Sequence, residues 1–220
     1  MSAADFLLAP EVQKLLRVVF AGPDKHFTIA ALSKATKLDG VDVARTQEHL
    51  VQSGILNRHK TVDGNAENGK GDTVSVNTAF VFYPELRRIA IKSFAAAEPI
   101  RAMLRSKFKS SVIRAFVLEE DAEGVLELLV VHGQVIPDEA EMAVACRKLS
   151  VSIGRHLKVH VISSNDYGAL TARDYLGEKL AARNGSVIEV IGEGDTKAKP
   201  QIEKTGLLQS AKKKLAQLTR

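Results

Sequence analysis

The sequence predicts an α+β protein built from two unlike parts, on three observations. Helical apolar spacing dominates as far as Gly54, and two short β-type runs follow it. A long helical stretch then leads to Ser111, after which β-type runs and helical segments alternate. That alternation predicts a second domain, α/β, with a mixed sheet covered by helices.

The elements follow in order. In "APEVQKLLRVVFAG" the apolar residues Val12, Leu15, Leu16, Val19 and Phe20 share one helical face, and Gly22-Pro23 ends it. "FTIAALSKATKL" predicts a second helix, with Thr28 as N-cap and Ile29, Leu32 and Ala35 turned inward. "DGVDVARTQEHLVQSG" predicts a third, starting at Asp39 or Gly40, with Gly54 in the C′ position. "ILNRHKTV" and "DTVSVNTAF" predict two strands around the Gly- and Asn-rich loop "DGNAENGKG". Three short helices followed by a hairpin is the order of a winged helix-turn-helix.

"FYPELRRIAIKSFAAAEPIRAMLRSKF" continues as helix, with a break expected at Glu98-Pro99. Its stripe of Leu86, Ile89, Ala90, Phe94 and Ala97 either packs on its own domain or joins two copies. Beyond it, "SVIRAFVL", "GVLELLVV", "LKVHVISS" and "SVIEVIGE" are strand candidates. "PDEAEMAVACRKLSVSIG" and "NDYGALTARDYLGEKLAARNG" each predict a helix. The expected domains are a winged helix-turn-helix at 1–83, a linking or dimerisation helix at 84–108, an α/β domain at 109–194 and a tail at 195–220.

Composition narrows the classes. A chain of 220 residues with 45% hydrophobic and 26% charged residues can bury a core. Cys146 is the only cysteine, which excludes a disulfide framework and an all-cysteine zinc site, and its helical setting predicts a core residue. A reducing cytoplasm is the expected location. "MSAADFLLAPEVQK" lacks the cationic start of a secretory signal, and no apolar run approaches the ~20 residues of a membrane span.

The net charge is +5, and residues 195–220 carry seven bases against two acids, so the excess sits in the tail. "TGLLQSAKKKLAQLTR" sets Leu207, Leu208, Ala211, Leu215 and Leu218 on one helical face beside Lys212, Lys213 and Lys214. These three lysines are the expected tail contacts to phosphate, and "GEGDTKAKPQ" before them is expected to be a flexible linker.

The layout as a whole resembles bacterial and archaeal regulators that join an ArsR-like winged helix to a small nucleotidyltransferase-like domain. Residues 5–193 carry the resemblance, through "FLLAPEVQKLLRVVF", "LVQSGIL", "FYPELRRIAIKS", "IRAFVL", "LELLVV", "IGRHLKVHVIS" and "VIEVIG" in that order. Active members of the nucleotidyltransferase fold carry Gly-Ser after the first strand, opening a helix toward a triphosphate. They carry Asp-x-Asp on the next strand, where spacing by two sets both carboxylates on one face for Mg²⁺.

This chain departs from both. Glu119-Glu120 stands at the Gly-Ser position, Val125 and Glu127 fall at the two Asp positions, and the later strand offers Lys158 and His160 but no acid. Glu119 and Asp121 have the right spacing for a substitute pair, yet they lack a phosphate cradle, so "EEDAEG" reads as a solvated acidic turn left from an active-site loop. His156 and His160 are read as straddling a loop-to-strand change rather than forming a metal pair. The resemblance therefore implies a catalytically inactive domain with no metal and no cofactor.

In a winged helix the third helix enters the major groove of double-stranded DNA. Val43, Leu50 and Val51 are then expected in the core, and Val41, Asp42, Arg45, Thr46 and His49 nearest the bases. Arg45 has the fork that matches guanine O6 and N7. Arg58, His59, Lys60 and Lys70 on the wing are expected to meet phosphates. Gln47 stands where a core leucine is usual, and Asp39, Asp42 and Glu48 make the reading helix acidic.

The expected function is a homodimeric DNA-binding transcriptional regulator, not an enzyme. Its nucleotidyltransferase-like domain would serve for assembly, for a protein partner or for sensing a small-molecule effector. Two alternatives stay open: a divergent Mg²⁺-dependent nucleotidyltransferase using Glu119, Asp121 or Glu127, and an interaction scaffold that binds no DNA.

Overall fold

A computed structural model describes residues 2–60, 72–120, 124–182 and 187–201, and its chain is mixed α and β. It divides into two compact units, one of Met1–Met103 with Glu120–Leu126 and Val144–Leu157, the other of Leu104–Glu119, Glu127–Ala143 and the chain from Lys158. The division cuts through secondary-structure elements and does not fall at the expected boundaries of 83, 108 and 194.

The first unit opens with α1 (Pro10–Phe20), which starts on a proline whose missing N–H is one the first turn leaves unpaired anyway. Thr28 caps α2 (Ile29–Thr36) by accepting from the Ala31 N–H, and Asp39 caps α3 (Gly40–Gln52) by accepting from the Asp42 N–H. Gly54, at φ +74°, supplies the left-handed C′ residue that turns the chain into β1 (Leu56–His59). β1 pairs antiparallel with β2 (Thr73–Val76), from Leu56 opposite Val76 to His59 opposite Thr73. Phe27 and Val74 exchange backbone hydrogen bonds of 2.8 and 2.9 Å, which ties the start of α2 to the hairpin.

Leu15, Leu16, Val19 and Phe20 of α1 pack with Leu32, Val43, Leu50, Leu56, Val74 and Val76 in one core. Each such large side chain contributes about 1.5–3 kcal/mol on burial, so Leu50→Ala should cost about 2–5 kcal/mol. The second helix differs from expectation. It buries Leu32 and Thr36, while Ile29 and Ala35 face outward, because four-residue spacing from Leu32 reaches Thr36, whose hydroxyl is satisfied by the Leu32 carbonyl at 2.7 Å.

The long helix after the hairpin also breaks elsewhere. α4 (Tyr83–Lys92) ends at Ser93, four residues separate it from α5 (Ala97–Lys107), and Pro99 sits inside the first turn of α5. A proline is tolerated there because first-turn N–H groups have no partner within the helix. Within its own unit the stripe packs at home: Ala90 and Phe94 are buried in the core, and the partly buried Leu86 and Ile89 lie against it.

In the second part of the chain β3 (Val112–Glu120), β4 (Val125–His132), β5 (His156–Ser163) and β6 (Ile188–Ile191) form a mixed sheet in the order β5-β4-β3-β6. β6 lies antiparallel on β3 with a bulge at Ala115/Phe116. α6 (Glu139–Ile153) connects β4 to β5, the long crossover that a parallel neighbour requires. The single helix expected after β5 is two, α7 (Ser164–Ala169) and α8 (Tyr175–Ala181), since Thr171 and Asp174 make a local turn that interrupts it. Phe116, Leu118, Leu129 and Val131 form the core with Tyr167, Leu176 and Leu180 from these helices. Cys146 is buried as expected, and burial pushes its thiol pKa up.

The segment expected to be a flexible linker is instead tied down. Lys197 N–H donates to the Lys109 carbonyl, Gln134 N–H to the Lys199 carbonyl, and the Thr196 hydroxyl to the Val112 carbonyl. Gly133 permits this approach, because a Cβ there would stand 1.9 Å from the Lys199 carbonyl oxygen. Among the described residues no helix is long and apolar enough to cross a membrane.

Candidate functional site

Three groups of side chains were expected to carry chemistry or binding, and the fold treats each differently. On α3 the capped start and the burial of Val43, Gln47 and Leu50 fix which face is free. Val41 is 77% exposed and the Arg45 side chain 74%, with His49 also outside. Thr46 is the exception: it is buried, because spacing by three from Val43 brings it onto the inner face. Gln47 is buried as well, and its Oε1 has no hydrogen-bond partner among the described residues.

The free face is not a simple cationic one. Arg45 Nη2 lies 2.6 Å from Asp42 Oδ1, one turn back on the same helix. Arg58 of β1 is paired with Glu48 of α3, and Gln52 donates to the same carboxylate at 3.0 Å. The Arg58 hydrogen bond, followed by that of Gln52, holds the Glu48 pKa below the usual carboxylate range. His59 shares a 2.8 Å hydrogen bond with Ser75 and lies against His26, with ring centres 4.3 Å apart. Lys60 is exposed at the end of the described hairpin. Lys70, Lys212, Lys213 and Lys214 lie outside the described residues.

The acidic turn is the second group, and its reading as solvated fails at Glu120. That residue closes β3 with its carboxylate 6% exposed, accepting from Arg155 Nε at 2.8 Å. Arg87 Nη2 of α4 stands 2.7 Å from the other oxygen, a charge contact without hydrogen-bond geometry. Arg155, 1% exposed, also donates to the Phe20 carbonyl at 3.1 Å. Carboxylates leave water only when paired, and two guanidiniums around one carboxylate meet that need. Asp121 and Glu123 lie outside the described residues.

Glu127 is the third. It projects from β4 with only 12% of its side chain exposed, between Lys158 Nζ at 2.7 Å and the Tyr175 hydroxyl at 2.6 and 2.8 Å. His160 Nε2 stands 3.9 Å away. Burial works against ionisation of Glu127, but the hydrogen bonds from Lys158 and Tyr175 outweigh it and hold the pKa below the ordinary value. The bond to Glu127 in turn raises the pKa of both Lys158 and Tyr175. Lys158 and Lys179 both lie near the Tyr175 ring, at 5.6 and 5.8 Å from its centre. This donor set does not fit Mg²⁺. One carboxylate is present, Val125 occupies the position of the second, and an ammonium already sits on the first. His156 and His160 both lie on β5 and do not straddle its start. No group of three or more His, Cys, Asp or Glu that could hold a metal occurs among the described residues.

Arg87, Arg155 and Tyr175 are the residues that sequence reasoning missed. Arg155 joins Glu120 across 35 positions and Tyr175 joins Glu127 across 48, so neither leaves a local pattern. A sequence signal existed only for the acids, Glu120 at the end of β3 and Glu127 as the lone acid within the apolar run of β4. No family model, no curated protein and no solved structure matches the chain.

Proposed function

We propose that the chain is a DNA-binding regulator that reads the major groove with α3, in the manner of a winged helix-turn-helix, and uses its α/β part without catalysis. The observation that carries this is the common surface of α3 and the hairpin. Val41, Arg45 and His49 face outward beside Arg58, which is joined to α3 through Glu48. A capped helix offering an arginine fork and a β-branched apolar group suits base edges, and the hairpin suits the flanking backbone. The pairing of Glu120 with two arginines and of Glu127 with Lys158 supports a non-catalytic role, because both carboxylates are already neutralised.

The test is binding of the purified protein to its own upstream DNA against random DNA across a salt series, with stoichiometry read in the same assay. Selective binding that survives ~0.15 M salt supports the reading. Equal binding to both DNAs that disappears with salt refutes groove reading.

A second reading has its own observation. Arg45 and Arg58 are each held by an acid, and Val41 stands largely exposed at the start of α3, a surface that also suits a protein partner. Absence of selective DNA binding, with α3 substitutions abolishing a protein complex, would favour it.

A further inference from the structure

Within the first unit, residues 17–18, 21–22, 25, 27, 35, 37 and 151–154 contribute to an open cleft of about 480 Å³, with Asp24 not among its lining residues. Val18, Phe27 and Ile153 give it an apolar wall, and Arg17, Lys25 and Lys37 bring three cations to it with no carboxylate among the lining residues. None of the three side chains makes a hydrogen bond or ion pair with a described residue. The Lys25 stem lies across Gly22, where a Cβ would stand 2.7 Å from its Cδ.

Two further features strengthen the positive character. Arg155 donates to the carbonyls of Phe20 and Ile153, the first next to the cleft residue Ala21 and the second itself a lining residue. Its network sets two guanidiniums against one carboxylate. Lys37 also closes α2 at φ +58°, in the left-handed region that favours glycine. The chain thus keeps a lysine where a residue without a side chain would cost less.

We infer that this cleft binds a small phosphorylated ligand with an apolar body. Arg17, Lys25 and Lys37 take the phosphate, and Val18, Phe27 and Ile153 take the body. Three cations lining one cleft favour a group that carries close to two negative charges at neutral pH, as a phosphate monoester does, over a single carboxylate. The volume falls in the range of small-ligand pockets. The cations are not those of the α3 and hairpin surface, so the inference stands apart from the DNA reading.

The experiment is calorimetric titration of the full chain with phenyl phosphate and with AMP, using phenol and adenosine as uncharged controls. The expected result is saturable binding of at least one phosphorylated probe, with its control at least about tenfold weaker. Lys25→Ala combined with Lys37→Gly should weaken that binding by about tenfold or more, while Lys34→Ala, outside the cleft on α2, leaves it unchanged. Lys37→Gly also lifts a backbone penalty, so misfolding would not explain the loss, and thermal melts of each variant check this. Binding unaffected by the double substitution, equal binding of the controls, or no binding of either phosphorylated probe at millimolar concentration would each overturn the proposal. Arg45→Ala should leave probe binding intact, which separates failure here from failure of the DNA reading.

Discussion

Arg155 and Glu120 meet at 2.8 Å, Nε to Oε1, with both side chains almost wholly withdrawn from solvent. Removing one member of a buried pair strands the other. Arg155→Ala should therefore destabilise the protein by about 3–5 kcal/mol, and Glu120→Leu by a similar amount. The double variant Glu120→Leu/Arg155→Met should lose clearly less than the sum, because no charge is then left unpaired except that of the partly exposed Arg87. Urea unfolding midpoints at unchanged slope provide the measurement; additive losses would show that the pair is not coupled.

Asp42 and Glu48 compete with DNA for Arg45 and Arg58. If α3 reads DNA, Asp42→Asn with Glu48→Gln should tighten binding and steepen its salt dependence, by about 0.9 in slope for each phosphate newly neutralised. Arg45→Ala should instead reduce discrimination between upstream and random DNA. Gel-shift titrations over a salt series read both, and a flat response to all three changes would remove this surface from the binding site.

Gln47 buries an oxygen that meets no donor among the described residues. Leucine is close in size and carries no polar atom, so Gln47→Leu should raise stability by about 1–3 kcal/mol. A lower unfolding midpoint would show that the amide serves the fold in some other way.

Glu127 gives a pH signature. Its folded pKa is depressed, so its contribution is complete above the ordinary carboxylate range and is lost as pH falls through the folded value. The stability difference between wild type and Glu127→Gln should be present at neutral pH and shrink in acid. Lys158→Met should move the Glu127 pKa upward, since burial then acts with less opposition. Carboxyl chemical shifts followed by NMR against pH measure this directly, and an unchanged midpoint would mean that Tyr175 alone holds the charge.

Local chemistry made much of the fold legible. Thr28, Asp39 and Gly54 act at helix ends within three residues of their partners, so the caps and the turn into β1 could be read directly. The run "LLVV" is continuous and apolar because successive residues of β4 from Leu128 to Val131 are buried, which covers both faces there. Where an element's limit depends on distant packing, reading went astray. The break after α4 sits at Ser93 and not at Pro99, and the segment 192–201 is held by the carbonyls of Lys109 and Val112 and by the N–H of Gln134.

By itself the sequence determined the order of elements, the inner face of α1, the buried cysteine and the lack of a second carboxylate beside Glu127. Only the tertiary structure decided the fate of the charges. A carboxylate at the end of a strand looks the same in sequence whether it meets water, a metal ion or a guanidinium 35 positions away. Burial, which no local pattern encodes, is what made Glu120 require Arg155 and Arg87, and Glu127 require Lys158 and Tyr175.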